Sequence, residues 1–176
     1  MHVVWIIVGM VSAAWLWARR AKQAKEVADN VVEMARDVRS TFRRLGFKRR
    51  SDVHPADCVD DPRLAVAGIV AAIARMRGPL SPQTLDAFKS EVMETFKTDP
   101  QHADDIIAFG QWVARQCTTP ELAAHKLGAV VRKSVGADAM PEIIWMIERV
   151  ASADGVRADD AQYAVMSVFQ AAIKAR

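Results

Sequence analysis

Residues 81–96, SPQTLDAFKSEVMETF, decide the fold. Ser81 offers a hydroxyl to cap a helix, and Pro82 falls where its missing N–H costs nothing. Leu85, Phe88, Val92 and Phe96 follow at steps of three, four and four, which is one face of a helix. The same punctuation recurs outward. Asp61-Pro62 opens a helix through about Arg77, closed by Gly78. Asp99-Pro100 precedes a third, with Asp104 and Asp105 near the positive end of its dipole. Thr119-Pro120-Glu121 starts a fourth that runs to about Val135 and stops at Gly136. Pro141 starts a fifth (EIIWMIERVAS), ended by Asp154-Gly155. A sixth fills Ala158 to Lys174, with Tyr163, Met166, Phe169 and Ile173 expected inside. No stretch alternates apolar and polar residues as a strand does. The expected fold is all-α, a compact bundle of about six helices over residues 61–176.

The composition agrees. The chain has 176 residues, 51% hydrophobic and 26% charged, enough for one compact domain and a tail. With 8 Gly and 7 Pro spread along it, collagen-like and low-complexity readings are excluded. Two cysteines, Cys58 and Cys117, make neither a disulfide scaffold nor a four-thiolate zinc site. The net charge of +3 hides an asymmetry. Residues 19–50 carry eleven Lys and Arg against four acids, a net of +7, whereas residues 51–176 sum to −4. A tail of that kind points to nucleic acid or to a membrane.

The apolar start decides between them. Val3–Ala18 reads VVWIIVGMVSAAWLWA, without a charge. At about 1.5 Å per residue it covers about 24 Å of a hydrocarbon core about 30 Å thick. Arg19, Arg20 and Lys22 can snorkel outward to make up the difference. Trp5 near one end and Trp15 and Trp17 near the other match interfacial aromatic belts. A cleaved signal peptide would need positive charge before the apolar run, and here only the N-terminal amine supplies it. Residues 1–18 are therefore expected to be a single transmembrane anchor. The positive-inside rule puts the N-terminus outside and the rest in the cytoplasm, where both cysteines stay reduced.

Residues 19–46 continue as a long basic amphipathic helix. Val27, Val31, Met34, Val38, Phe42 and Leu45 form one apolar stripe, and Gly46 ends it. The stripe has three open destinations: another helix, including self-association through residues 27–45, the membrane surface, or the chain's own domain. Glu26, Asp29, Glu33 and Asp37 interleave with the cations, so the lipid bilayer rather than nucleic acid is the expected contact. Residues 47–60 (FKRRSDVHPADCVD), with Pro55 and no periodicity, are expected to be a linker.

Two segments carry a family resemblance. One is Ala74-Arg75-Met76-Arg77-Gly78-Pro79-Leu80-Ser81-Pro82; the other is Ala151-Ser152-Ala153-Asp154-Gly155-Val156-Arg157-Ala158-Asp159-Asp160. With the helix count and the anchor, residues 61–175 resemble the TerB-like domain of tellurite-resistance proteins and of membrane-anchored DjlA-type co-chaperones. No J-domain signature accompanies it, and His54-Pro55-Ala56 is not one. The resemblance implies a bacterial inner-membrane protein and a divalent metal held by the Asp-Gly turns, here by Asp154, Asp159 and Asp160. The first copy has Arg77 where the acid should stand. A purely structural alternative has Asp154 bonding its own turn and Asp159 and Asp160 favouring a helix start.

Other chemistry is sparse. His2, His54, His102 and His125 show no paired ligand spacing, and the acids around His102 are explained by the helix start. Cys117 and His125 flank a helix start and have no reason to meet. Met93, Met140, Met146, Met166, Trp112 and Trp145 fall at helical spacings and read as core, though either tryptophan fits a partner groove. No cofactor and no catalytic group is expected. The function expected is a membrane-tethered cytoplasmic adaptor or accessory subunit that binds a protein partner within a larger membrane complex. The alternative is a metal- or oxyanion-responsive stress protein binding a divalent cation.

Overall fold

The computed structural model describes residues 40–175. The anchor at 1–18, with Trp5, Trp15, Trp17, Arg19, Arg20 and Lys22, and the stripe residues Val27, Val31, Met34 and Val38 lie outside them. Thr41–Arg176 forms a compact unit of its own. Among the described residues every regular element is helical, and no helix is long and apolar enough to cross a membrane.

The six expected helices are present: α1 (Pro62–Ala74), α2 (Pro82–Phe96), α3 (Pro100–Gln116), α4 (Pro120–Ser134), α5 (Met140–Ala151) and α6 (Asp160–Lys174). The capping chemistry read from the sequence is what starts them. Asp61, Ser81, Asp99 and Thr119 each accept a backbone N–H of the first turn, and each precedes proline. At Asp99 the amides of His102 and Gln101 hold the carboxyl below its ordinary value. The α-helical turns of α1 stop three residues short of Arg77; Arg75–Arg77 tighten to 3-10 geometry before Gly78, whose φ of +127° ends the run.

Helix α1 is the axis of the bundle. From Leu64 to Ile73 it holds no polar side chain and every residue is buried, as a helix apolar on all faces requires. It packs on α3, α4 and α5, while α4 also packs on α6 and α2 on α3 and α5. Phe88, Phe109, Phe169, Ile69, Leu127 and Met146 fill the centre.

Two expectations about the interior are corrected. Tyr163 is 42% exposed and Trp145 is 64% exposed. On α6 the buried residues are Gln162, Val165, Met166, Phe169, Ala172 and Ile173. At 100° per residue their axis runs close to Phe169 and Gln162, and Tyr163, roughly 120° away from it, lies outside the buried face. On α5 the buried face is Ile143, Met146, Ile147 and Val150, and Trp145 stands on the opposite side. Among the methionines, Met146 and Met166 are buried, while Met93 and Met140 are partly so.

The segments before α1 are tied to the bundle. Phe42 and Leu45, the last two residues of the apolar stripe, pack on this domain's own core. Phe42 and Phe47 meet Phe109 and Trp112 edge-on, with ring centroids 4.5 to 5.7 Å apart. Within 47–60, Pro55–Cys58 is a 3-10 turn that buries Ala56, Val59 is buried beside it, and His54 Nε2 lies 3.0 Å from the Gln116 carbonyl.

An ion pair completes this attachment. Arg44 donates from Nε and Nη2 to both oxygens of Asp105 at 2.6 Å, and Thr41 adds its hydroxyl at 3.4 Å. The Arg44 hydrogen bonds outweigh burial and hold the Asp105 carboxyl below its ordinary 3.8. A lowered native value means stability that is present above the unfolded value and lost as the pH falls through the native one. Asp105→Asn is expected to cost about 1 kcal/mol at pH 7, discounted because Arg44 is half exposed. Urea unfolding of wild type and variant should show that gap closing below about pH 4; a gap unchanged at pH 3 refutes the assignment.

Candidate functional site

Two places in the bundle hold the residues singled out by the sequence: the paired turns, and the outer face of α5. At the paired turns, Gly78 ends the 3-10 turn after α1 and Gly155 (φ +82°) lies in the turn after α5, both in backbone conformations that favour glycine. A small cavity of about 60 Å³ lies between the turns, lined by Arg77, Pro79, Ser81, Thr84, Ala151 and Asp154.

Arg77 spans this gap. Its guanidinium donates to the carbonyl of Ala151 at the end of α5, to Val156 O at 3.3 Å and to Arg157 O at 3.5 Å, and its Nη2 lies 3.5 Å from Asp154 Oδ1. Such carbonyls have no partner within their own helix or turn, and a cation at a helix C-terminus is favoured by the dipole. Asp154 Oδ1 also accepts its own turn's Val156 N–H at 3.2 Å.

The other two acids proposed as metal ligands are placed differently. Asp159 caps α6: its Oδ1 accepts the Gln162 N–H at 2.9 Å, while Gln162 Oε1 accepts the Asp159 N–H at 3.1 Å. This is a reciprocal capping box. Asp160 is the exposed first residue of α6, where its charge favours the dipole. Asp154, Asp159 and Asp160 are thus engaged separately, each by its own turn or helix start. Among the described residues no group of three or more His, Cys, Asp or Glu is gathered to hold a metal ion. The guanidinium of Arg77 takes the carbonyls and the carboxylate that a cation in this gap would use.

Gln162 went unnoticed in the sequence. It is fully buried, and its Nε2 donates to the carbonyl of Ile73 at 3.0 Å, tying the start of α6 to the end of α1. The Asp159-to-Gln162 spacing of a capping box was the signal that pointed to it.

The outer face of α5 is built from Glu142, Trp145, Glu148 and Arg149, which the helical repeat places together. Arg149 bonds Glu91 on the neighbouring α2, and this holds its guanidinium in the charged form; Glu94 and Glu142 add to the same effect. Three carboxylates, of Glu91, Glu94 and Glu142, therefore act on the one guanidinium, and the uncovered indole of Trp145 shares its helix face.

Elsewhere the charges and thiols are quieter. A cleft of about 790 Å³ is lined by Asp57, Lys126, Arg132, Lys133 and Ala175. Within it Lys126 pairs with Asp57 at 2.6 Å and Arg132 donates to the Ala175 carbonyl at 2.8 Å. A smaller one of about 170 Å³ lies among Arg75, Arg115, Cys117 and Thr119. Burial pushes the Cys117 thiol up, the opposite of what an activated nucleophile needs. Asp104 pairs with Lys89 at 2.7 Å and Asp105 with Arg44, so the acids near His102 face other elements.

Comparison with protein-family models, with curated proteins and with solved structures finds no match for this chain.

Proposed function

We propose that this chain is a membrane-tethered cytoplasmic adaptor whose TerB-like helical domain binds a protein partner, part of a larger membrane complex, through the outer face of α5. Trp145 carries the reading: it is 64% exposed on a helix whose opposite face is closed against the core. A tryptophan left in water forgoes the burial its size would give, and tryptophan is over-represented among residues that dominate binding energy. The uncharged run of residues 3–18 and the +7 segment behind it support tethering to an anionic bilayer. The six helices and their two glycine-ended turns support the family resemblance.

The test is a mild-detergent pull-down of the full-length protein at native expression, beside a version lacking residues 1–18 and Trp145→Ala. The full-length protein should retain a partner in stoichiometric amount. Trp145→Ala should lose it, with a weakening of about thirtyfold for a contact worth about 2 kcal/mol. Its own melting temperature should stay within the range of an ordinary surface change. Recovery of the full-length protein alone sinks the proposal.

A further inference from the structure

We propose that the partner segment seated on the outer face of α5 is basic: a Lys- or Arg-bearing stretch of another protein that lays its cations over Trp145 and between the carboxylates around it. This rests on the adaptor reading and adds the chemistry of its partner. Trp145, Glu142 and Arg149 lie on one stripe of α5 at spacings of three and four, with Glu148 beside them. Glu94 comes from α2 and, like Glu142, is exposed. Arg149 is committed to Glu91, with Glu94 and Glu142 in electrostatic reach.

Arg149 is paired with Glu91, while Glu94, Glu142 and Glu148 form no ion pair among the described residues, so the acids on this side of α5 outnumber the one guanidinium on its stripe. A negative field around an exposed indole selects its occupant. An acidic or phosphorylated segment is repelled, and so is an anionic bilayer surface. An apolar segment would leave the carboxylates desolvated without partners. A cation meets both features, since the face of tryptophan is the strongest aromatic site for Lys and Arg, and the carboxylates accept its N–H groups.

The experiment places a photo-cross-linking benzoylphenylalanine at Pro141, exposed one helical turn before Trp145 on the same side of α5, in the full-length protein expressed in cells, and maps the captured peptide by mass spectrometry. The expected product is a segment of another protein with net positive charge. Glu94→Lys with Glu142→Lys should cut its yield at least tenfold while leaving the melting temperature near that of the parent. In detergent extract, retention of the same partner should weaken as salt rises from 0.05 to 0.5 M.

A captured segment that is neutral or acidic overturns the inference. Capture of lipid does so too. Capture of this chain's own residues replaces the partner with a second copy and also overturns it. If the pull-down retains a partner while position 141 captures nothing, this inference falls and the adaptor reading stands. If both are empty, both fall.

Discussion

Gly110→Val is expected to unfold the bundle under conditions in which the wild-type chain is folded. A Cβ at position 110 would lie 2.6 Å from the carbonyl oxygen of Ala67, 2.7 Å from its carbonyl carbon and 2.9 Å from its Cβ. These atoms belong to the backbone and first side-chain carbon of α1, so no flexible side-chain end can swing away. Helix α3 must move off α1 as a body, and this opens the contacts of Ile106, Phe109 and Val113, all fully buried. Alanine here would recover about 1 kcal/mol of helix propensity against an overpacking cost of about 1–3 kcal/mol. Valine adds two further methyl groups and some helix propensity loss, which takes the cost to about 3 kcal/mol or beyond.

Against a total of about 5–15 kcal/mol, that is a large share. The thermal midpoint should fall by about 10 °C or more, read by circular dichroism on the full chain in detergent. Gly68→Ala is the control. Its new Cβ would meet Leu127 Cδ1 at 2.6 Å and Val113 Cγ1 at 2.7 Å, which are side-chain rather than backbone atoms, so a smaller loss is expected. A Gly110→Val midpoint within about 2 °C of wild type would mean that α1 and α3 do not cross this closely.

The contrast between these glycines and the helix starts shows what the amino-acid order reveals. A Ser, Asp or Thr before proline acts on amides two or three positions away, so the starts of α1, α2, α3 and α4 were legible from local chemistry. Gly110 is mid-helix, and nothing near it in sequence says that Ala67, 43 positions earlier, presses on it. Tyr163 was misplaced because the spacing of Tyr163, Met166, Phe169 and Ile173 also fits a stripe rotated away from the true one. The true axis passes close to a polar residue, Gln162, whose burial makes sense only once the Ile73 carbonyl is seen opposite. Trp145 could have been read correctly, since Ile143, Met146, Ile147 and Val150 already define the inner face of α5. Size and apolarity argued for the core, and the helical angle overrules them. Phe42 and Leu45 belong to the domain for a reason local pattern does not contain: Phe109 and Trp112 present ring edges to Phe42, and Asp105 waits for Arg44.

Arg77→Met is expected to cost about 2 kcal/mol and to loosen the junction of α5 and α6. The guanidinium serves Ala151 O, Val156 O, Arg157 O and the Asp154 carboxylate at once. Methionine keeps the aliphatic bulk and removes every donor. Arg77 and Asp154 side chains are 25% and 40% exposed, so water re-forms part of what is lost, and the figure stays in the lower part of the range for charged hydrogen bonds. Arg77→Lys should recover less than half of it, because one ammonium cannot fork to four acceptors spread over the turn. Hydrogen exchange should report faster opening at residues 151–160, ahead of any change in α1. The same arrangement bears on divalent cations. An ion entering the gap would have to displace a guanidinium already held by three carbonyls, so millimolar calcium or magnesium should leave the wild-type melting temperature unchanged. A rise of several degrees on adding either ion would show that Arg77 yields its place, and would return Asp154 to the role of a ligand.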